Sequence, residues 1–239
     1  MVMQKIIKKN DQTNRDGGIE TYFRKIFSLM FGAVAVTALA TFFTIYGGGI
    51  SLLVNTGGMS PLFYVVIFGA LGLSIWAQAR AFSMRPATAA ILLFVYAVLI
   101  GLGLTPMIWG GLMVNPISIL LAFVIAAIMF GCMAMFGYKT VKDLSFLGIF
   151  LMMGMIGLIL VGIAAMIWSF GSAFSTIVCL IGVLVFALFT AYDMQNLKRA
   201  YAALGDDLQK DQLAVLGALH LYISFIGMFQ YLMGLLNRD

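Results

Sequence analysis

Three side chains in the apolar part of this sequence could do acid–base or ion chemistry. Asp193 lies in the stretch from Phe189 to Asn196 (FTAYDMQN). His220 is the only histidine, and Ser224 follows it four residues later in Gly217 to Phe225 (GALHLYISF). That spacing puts His220 and Ser224 on one face of a helix. An unperturbed imidazole changes charge near pH ~6.5. A charged side chain at the centre of a membrane helix costs roughly 2.5–3.5 kcal/mol on insertion scales, so its presence there points to function. Asp193 admits two readings: an interfacial carboxylate reaching toward Lys198 and Arg199, or a group at a pore mouth that titrates or holds a cation. His220 also admits two: a neutral ring hydrogen-bonded to a neighbouring helix, or a titrating pore-lining group. Arg80 reads either as a counter-ion for Asp193 or as a positively charged anchor at a membrane face.

Several other chemistries fall away. A hydrolase built from Ser224, His220 and Asp193 would lack both a nucleophile elbow and an oxyanion motif, so no enzymatic activity is expected. One histidine and the apolar-run cysteines Cys132 and Cys179 cannot build a three-ligand zinc site without several carboxylates. For calcium, only Asp193 offers a carboxylate at membrane depth. No Walker or GxGxxG pattern is present, and no lysine falls in the last apolar run to hold retinal, so no cofactor is expected.

The elements that must position these residues follow from composition. The chain of 239 residues is 63% hydrophobic and 10% charged, with mean hydropathy +1.07. A soluble domain carries roughly 25% charged residues. Seven apolar runs, roughly 26–46, 62–79, 87–109, 116–138, 144–168, 173–193 and 213–236, are each long enough to span about 30 Å of hydrocarbon. The expected fold is an all-α integral membrane bundle of seven transmembrane helices, residues 21–239, behind a cytoplasmic tail at residues 1–20. Glycines within the runs, including Gly69, Gly72, Gly101, Gly103, Gly154, Gly157 and Gly162, favour close helix packing. The 17 methionines read as apolar gap fillers.

Charge orients the bundle. Every basic residue except Arg238 lies in the N-terminal segment or in alternate connections: Arg80 and Arg85, then Lys139 and Lys142, then Lys198, Arg199 and Lys210. The intervening connections, 47–61, 110–115 and 169–172, are uncharged. The positive-inside rule places the N-terminus in the cytoplasm and the C-terminus outside, provided the last run crosses fully rather than re-entering. Basic residues scattered between apolar runs are not a nucleic-acid patch. The partner expected is a lipid bilayer, and short loops suit a bacterial inner membrane.

At this point the motifs resemble a known family. Lys139 to Phe150 (KTVKDLSFLGIF) and the glycine-rich run after it, Met84 to Ala89 (MRPATA), Thr190 to Gln195 (TAYDMQ) and Gly217 to Leu236 are similar, in order and spacing, to the Bax inhibitor family of transmembrane Bax-inhibitor-motif proteins. The resemblance covers nearly all of the chain beyond residue 20. It implies seven helices with the last one central, and a passive, pH-gated calcium leak, with protection from cell death in eukaryotes. It also implies a gate of two aspartates on the sixth and seventh spans. Asp193 matches the first; Ser224 stands where the second is expected. One carboxylate and one hydroxyl make a poor calcium site, because calcium takes roughly six to eight oxygens. His220, one turn before Ser224, is therefore expected to couple to Asp193, and the ion is calcium or the proton. The alternative is a non-transporting interaction protein that modulates membrane proteases or stress and cell-death responses.

Overall fold

A computed structural model of the chain describes residues 2–55, 58–80, 83–168, 171–205 and 207–237, with the side chains of residues 2–17 and 166 left undescribed. The long helices are α1 (Val2–Tyr46), α3 (Pro61–Arg80), α4 (Pro86–Val114), α5 (Pro116–Lys139), α6 (Ser145–Ile167), α7 (Ser172–Ala203) and α8 (Asp207–Leu236). All seven are long and apolar enough to cross a membrane, α1 by its part Gly18–Tyr46. The uncharged connection after α1 is not plain loop. It holds the short α2 (Ile50–Leu53) and a two-stranded antiparallel ribbon, β1 (Val54–Asn55) with β2 (Gly58–Met59), pairing Val54 with Met59. Gly48 and Gly58, at φ +76° and +131°, take backbone conformations that L side chains rarely adopt.

The last helix is the core. In α8, 83% of the apolar span is buried, against 11–39% in the other six. It packs on α7, α1, α5 and α4, while α3 leans on α4 and α6 on α7. It is one unbroken helix of 30 residues, about 45 Å at 1.5 Å per residue, long enough to cross a membrane and without the break a re-entrant hairpin needs. Large apolar side chains such as Phe146, Ile149 and Phe150 on α6 point outward, as lipid-facing residues must.

Several helix ends differ from the hydropathy reading; α1 already begins at Val2, and α4 runs on past residue 109 to Val114. The sixth span was expected to close at Asp193, yet α7 continues ten residues further to Ala203. No proline or glycine interrupts Met194 to Ala203, and its Leu, Lys, Arg and Ala residues are good helix formers. Asp193 is thus a mid-helix residue. Similarly α8 starts at Asp207, not near Leu213, with an acidic residue favourably placed in its first turn. Lys210 therefore falls within α8, but in its first turn, paired with Asp207 at 3.2 Å.

Close packing is carried by only some of the glycines. A Cβ on Gly101 would meet the Thr37 carbonyl at 2.7 Å, and one on Gly137 would run into the backbone of Ala191. By contrast Gly69, Gly72, Gly157 and Gly162 face open space. Hydroxyls in the spans return to the backbone. Thr37 donates to Ala33 and Ala97 carbonyls, Thr41 and Thr105 to Gly101, and Thr190 to Phe186, which satisfies them without water.

At the basic end, the α5–α6 connection is pinned to α7. Gln195 donates to the Lys142 carbonyl at 2.7 Å and accepts from the Leu144 amide at 2.9 Å. Asp143 accepts from the Ser145 amide and hydroxyl and pairs with Arg199 at 2.7 Å. Lys198 donates to the Tyr138 carbonyl and lies 4.6 Å over the Tyr138 ring. The bonds from Ser145, and then the Arg199 guanidinium, hold the Asp143 carboxyl well below the usual carboxylate range.

Two predictions follow from this packing. Gly137→Ala pushes a methyl into α7 backbone and should destabilise the protein by about 1–3 kcal/mol, whereas Gly157→Ala, facing open space, should leave the melting temperature in micelles unchanged or slightly raised. A depressed carboxylate pKa stabilises the fold above its unfolded value, about 3.9, and loses that contribution as pH falls through the folded value. Asp143→Asn should therefore lower the melting temperature at neutral pH, with the gap to wild type constant down to about pH 4 and closing below it.

Candidate functional site

Asp193 is placed by the α7–α8 contact. Four antiparallel pairs set its register: Cys179 against Gly234, Gly182 against Tyr231, Phe186 against Gly227, and Leu197 against Gly217. In each, a side chain sits where a Cβ on the glycine would be. Asp193 is four residues before Leu197 and seven after Phe186, so it lies on this same face of α7. Continuing the register sets it level with His220 on α8. Ser224 lies one turn further along the same α8 face.

Asp193 is half-buried, and among the described residues its carboxylate has no hydrogen-bond or ion-pair partner. The cations nearest in sequence are engaged elsewhere: Lys198 with Tyr138, Arg199 with Asp143 and Ser145. Helical spacing explains this, since only residues three or four apart meet on a helix surface, and these are five and six away. Arg80 is exposed at the end of α3 and forms no ion pair with Asp193. Ser224 is buried at 2% exposure. The structure thus brings Asp193, His220 and Ser224 onto facing helix surfaces and leaves Arg80 apart from them.

His220 is not bonded to Asp193. Its Nε2 meets Gln78 Oε1 of α3 at 3.2 Å. The Gln78 amide nitrogen donates to Ser74 Oγ at 3.1 Å, and Ser74 lines a small cavity together with Tyr96 of α4. Because the Gln78 oxygen faces the ring, His220 Nε2 is the nitrogen that carries hydrogen, and Nδ1 is left to take a proton. The Tyr96 ring stands edge-on to Tyr222 at 5.9 Å, and the Tyr222 hydroxyl is 2.6 Å from Thr37 Oγ1 on α1. A cavity of about 20 Å³, room for a single water, lies beside Ser74, Tyr96 and Gln212. Polar groups therefore run from α8 through α3 to α4, and a second set joins α8 to α1.

Sequence reasoning did not find Gln78, Ser74, Tyr96, Tyr222 or Thr37. The available signal was that each is a polar group inside an apolar run. Nothing in their spacing says which helices meet. Among the described residues no three His, Cys, Asp or Glu side chains converge.

The comparisons bear on the whole bundle. Residues 19–239 match the family described as "Inhibitor of apoptosis-promoting Bax1". Relatives include an uncharacterized protein of Caulobacter vibrioides, 35% identical, covering 89% of this chain and 82% of the relative. A second, the uncharacterized protein RP147 of Rickettsia prowazekii, is 33% identical, over 93% of this chain and 92% of that one. The inner membrane protein YbhL of Escherichia coli is 31% identical, over 90% and 91%. With the matching motifs, seven spans and a central last helix, the chain belongs to the Bax inhibitor family and is a multi-pass membrane protein.

Proposed function

We propose that this chain forms a pH-sensitive leak pathway for protons or calcium through the bacterial inner membrane, with its basic end in the cytoplasm. The observation that carries the reading is the Asp193 carboxylate, unpaired among the described residues and facing the central helix at the level of His220. An uncompensated carboxylate at that place has a cost that a merely structural residue would not justify.

His220 supplies the switch. When neutral, the ring donates to Gln78 through Nε2, and Nδ1 has no proton to offer. When protonated, Nδ1–H becomes a donor, and the cationic ring attracts the carboxylate on the facing surface of α7. Deprotonation releases it. The polar groups from Gln78 to Tyr96 favour the proton over calcium, because a lone carboxylate beside the Ser224 hydroxyl falls short of the oxygens calcium requires.

The experiment is proton and calcium flux in proteoliposomes across a pH range of about 5 to 8, which brackets ordinary imidazole titration. Wild type should show flux that changes across this range. Asp193→Asn should flatten the profile, His220→Ala should remove its imidazole-range component, and Gln78→Leu, which keeps His220 but removes its partner, should displace the midpoint. Identical profiles for wild type, Asp193→Asn and His220→Ala overturn the gate. No flux in any of them overturns the leak itself and favours a non-transporting partner of membrane proteases or other membrane machinery.

A further inference from the structure

The central helix is not enclosed on every side. α1 and α5 meet through ring edges, Phe23 with Tyr138 at 5.3 Å and Phe27 with Phe130 at 6.5 Å, rather than by close backbone packing. Between them lies a cavity of about 400 Å³ lined by Phe27, Phe31, Phe130, Gly131, Tyr138 and Phe225, within the range of about 300–1,000 Å³ of known ligand sites. Its floor is Phe225 of α8, where a second apolar cavity of about 350 Å³ begins and continues toward the uncharged end. From Tyr138 to Ala127 the first cavity runs about 16 Å along α5, close to the roughly 15 Å depth of one leaflet's hydrocarbon.

The mouth at the basic end is positively charged. Arg24, Phe27 and Phe31 share one face of α1, and Lys139 follows Tyr138 at the end of α5. Both cations are exposed, and they flank the Phe23–Tyr138 contact. The acids of this end are otherwise engaged: Asp211 with Lys25, Asp143 with Arg199, Asp207 with Lys210. Glu20 lies one turn before Arg24 without pairing to it. Arg24 and Lys139 have no ion-pair partner among the described residues.

We infer that the cleft between α1 and α5 binds one acyl chain of an anionic phospholipid from the leaflet at the basic end, with its phosphate between Arg24 and Lys139. The tail lies against Phe27, Phe130 and Gly131 and ends at Phe225. Apolar walls one leaflet deep accept a tail, and two unpaired cations at the mouth select a negative headgroup. A Cβ on Gly131 would meet nothing within 4 Å, so a larger side chain there fills the cleft without touching the fold.

The test is native mass spectrometry of the full chain, delipidated in detergent and then given dioleoylphosphatidylglycerol or dioleoylphosphatidylcholine. Wild type should retain one phosphatidylglycerol, preferred over phosphatidylcholine by roughly thirtyfold, the effect expected of two basic residues at an anionic headgroup. Arg24→Ala/Lys139→Ala should bind the two lipids equally. Gly131→Leu should retain neither, with an unchanged melting temperature. Equal retention of the two lipids by wild type overturns the proposal, as does wild-type retention by Gly131→Leu. The exposed Arg24 and Lys139 keep the test decisive should Gly131→Leu fail to fold.

Discussion

The contact between α7 and α8 is built from small residues set against large ones: Gly182 under Tyr231, Gly227 under Phe186, Gly234 under the Cys179 sulfur, Gly217 under Leu197. In lipid no hydrophobic effect drives helices together, so shape and close approach must do so. A slip of one residue would rotate α8 by about 100° and set every glycine against the wrong neighbour. This register therefore has one solution, and it fixes the level of each polar group carried on the two helices. Asp193 faces His220 because Gly217 and Gly227 leave no other way for α8 to seat.

Once α8 is enclosed, its polar side chains and those of its neighbours need partners that water does not supply. The threonines solve this locally through carbonyls of their own or an adjacent helix. Tyr222 and His220 solve it across helices, through Thr37 on α1 and Gln78 on α3. Asp193 departs from the pattern. Of the cations nearest it in sequence, Lys198 is taken by Tyr138 near the end of α5 and Arg199 by Asp143 of the α5–α6 connection, itself tied to α7 by Gln195. The collar that orders that connection is the same one that withholds Lys198 and Arg199 from the carboxylate.

Much of this was legible in the sequence, and what was not has a common cause. Span number, the alternation of charge and the positions of Asp193, His220 and Ser224 are one-dimensional facts, set by bilayer thickness and by the cost of charge in hydrocarbon. The end of α7 was misplaced because hydropathy stops at the first charged residue, whereas a helix stops only where backbone or capping requires it. Glycine content suggested close packing but not its location: Gly137, Gly182 and Gly227 pack tightly, while Gly69 and Gly157 face outward. The bond from His220 to Gln78 joins residues 142 apart in the chain, and no local spacing encodes it. The Asp143–Arg199 pair was hidden for the same reason, although both residues were visible as charges.

Ser224 bears on what kind of switch the proposed pathway would use. Two facing carboxylates attract when they share one proton and repel when both are ionised, so such a pair has one latched state at lower pH. An imidazole and a carboxylate behave differently. They attract only when the ring is protonated and the acid is not. The Ser224 hydroxyl does not titrate in this range, so in the proposed gate the second titrating group is the His220 ring one turn away, whose bond to Gln78 would bring α3 into the switch.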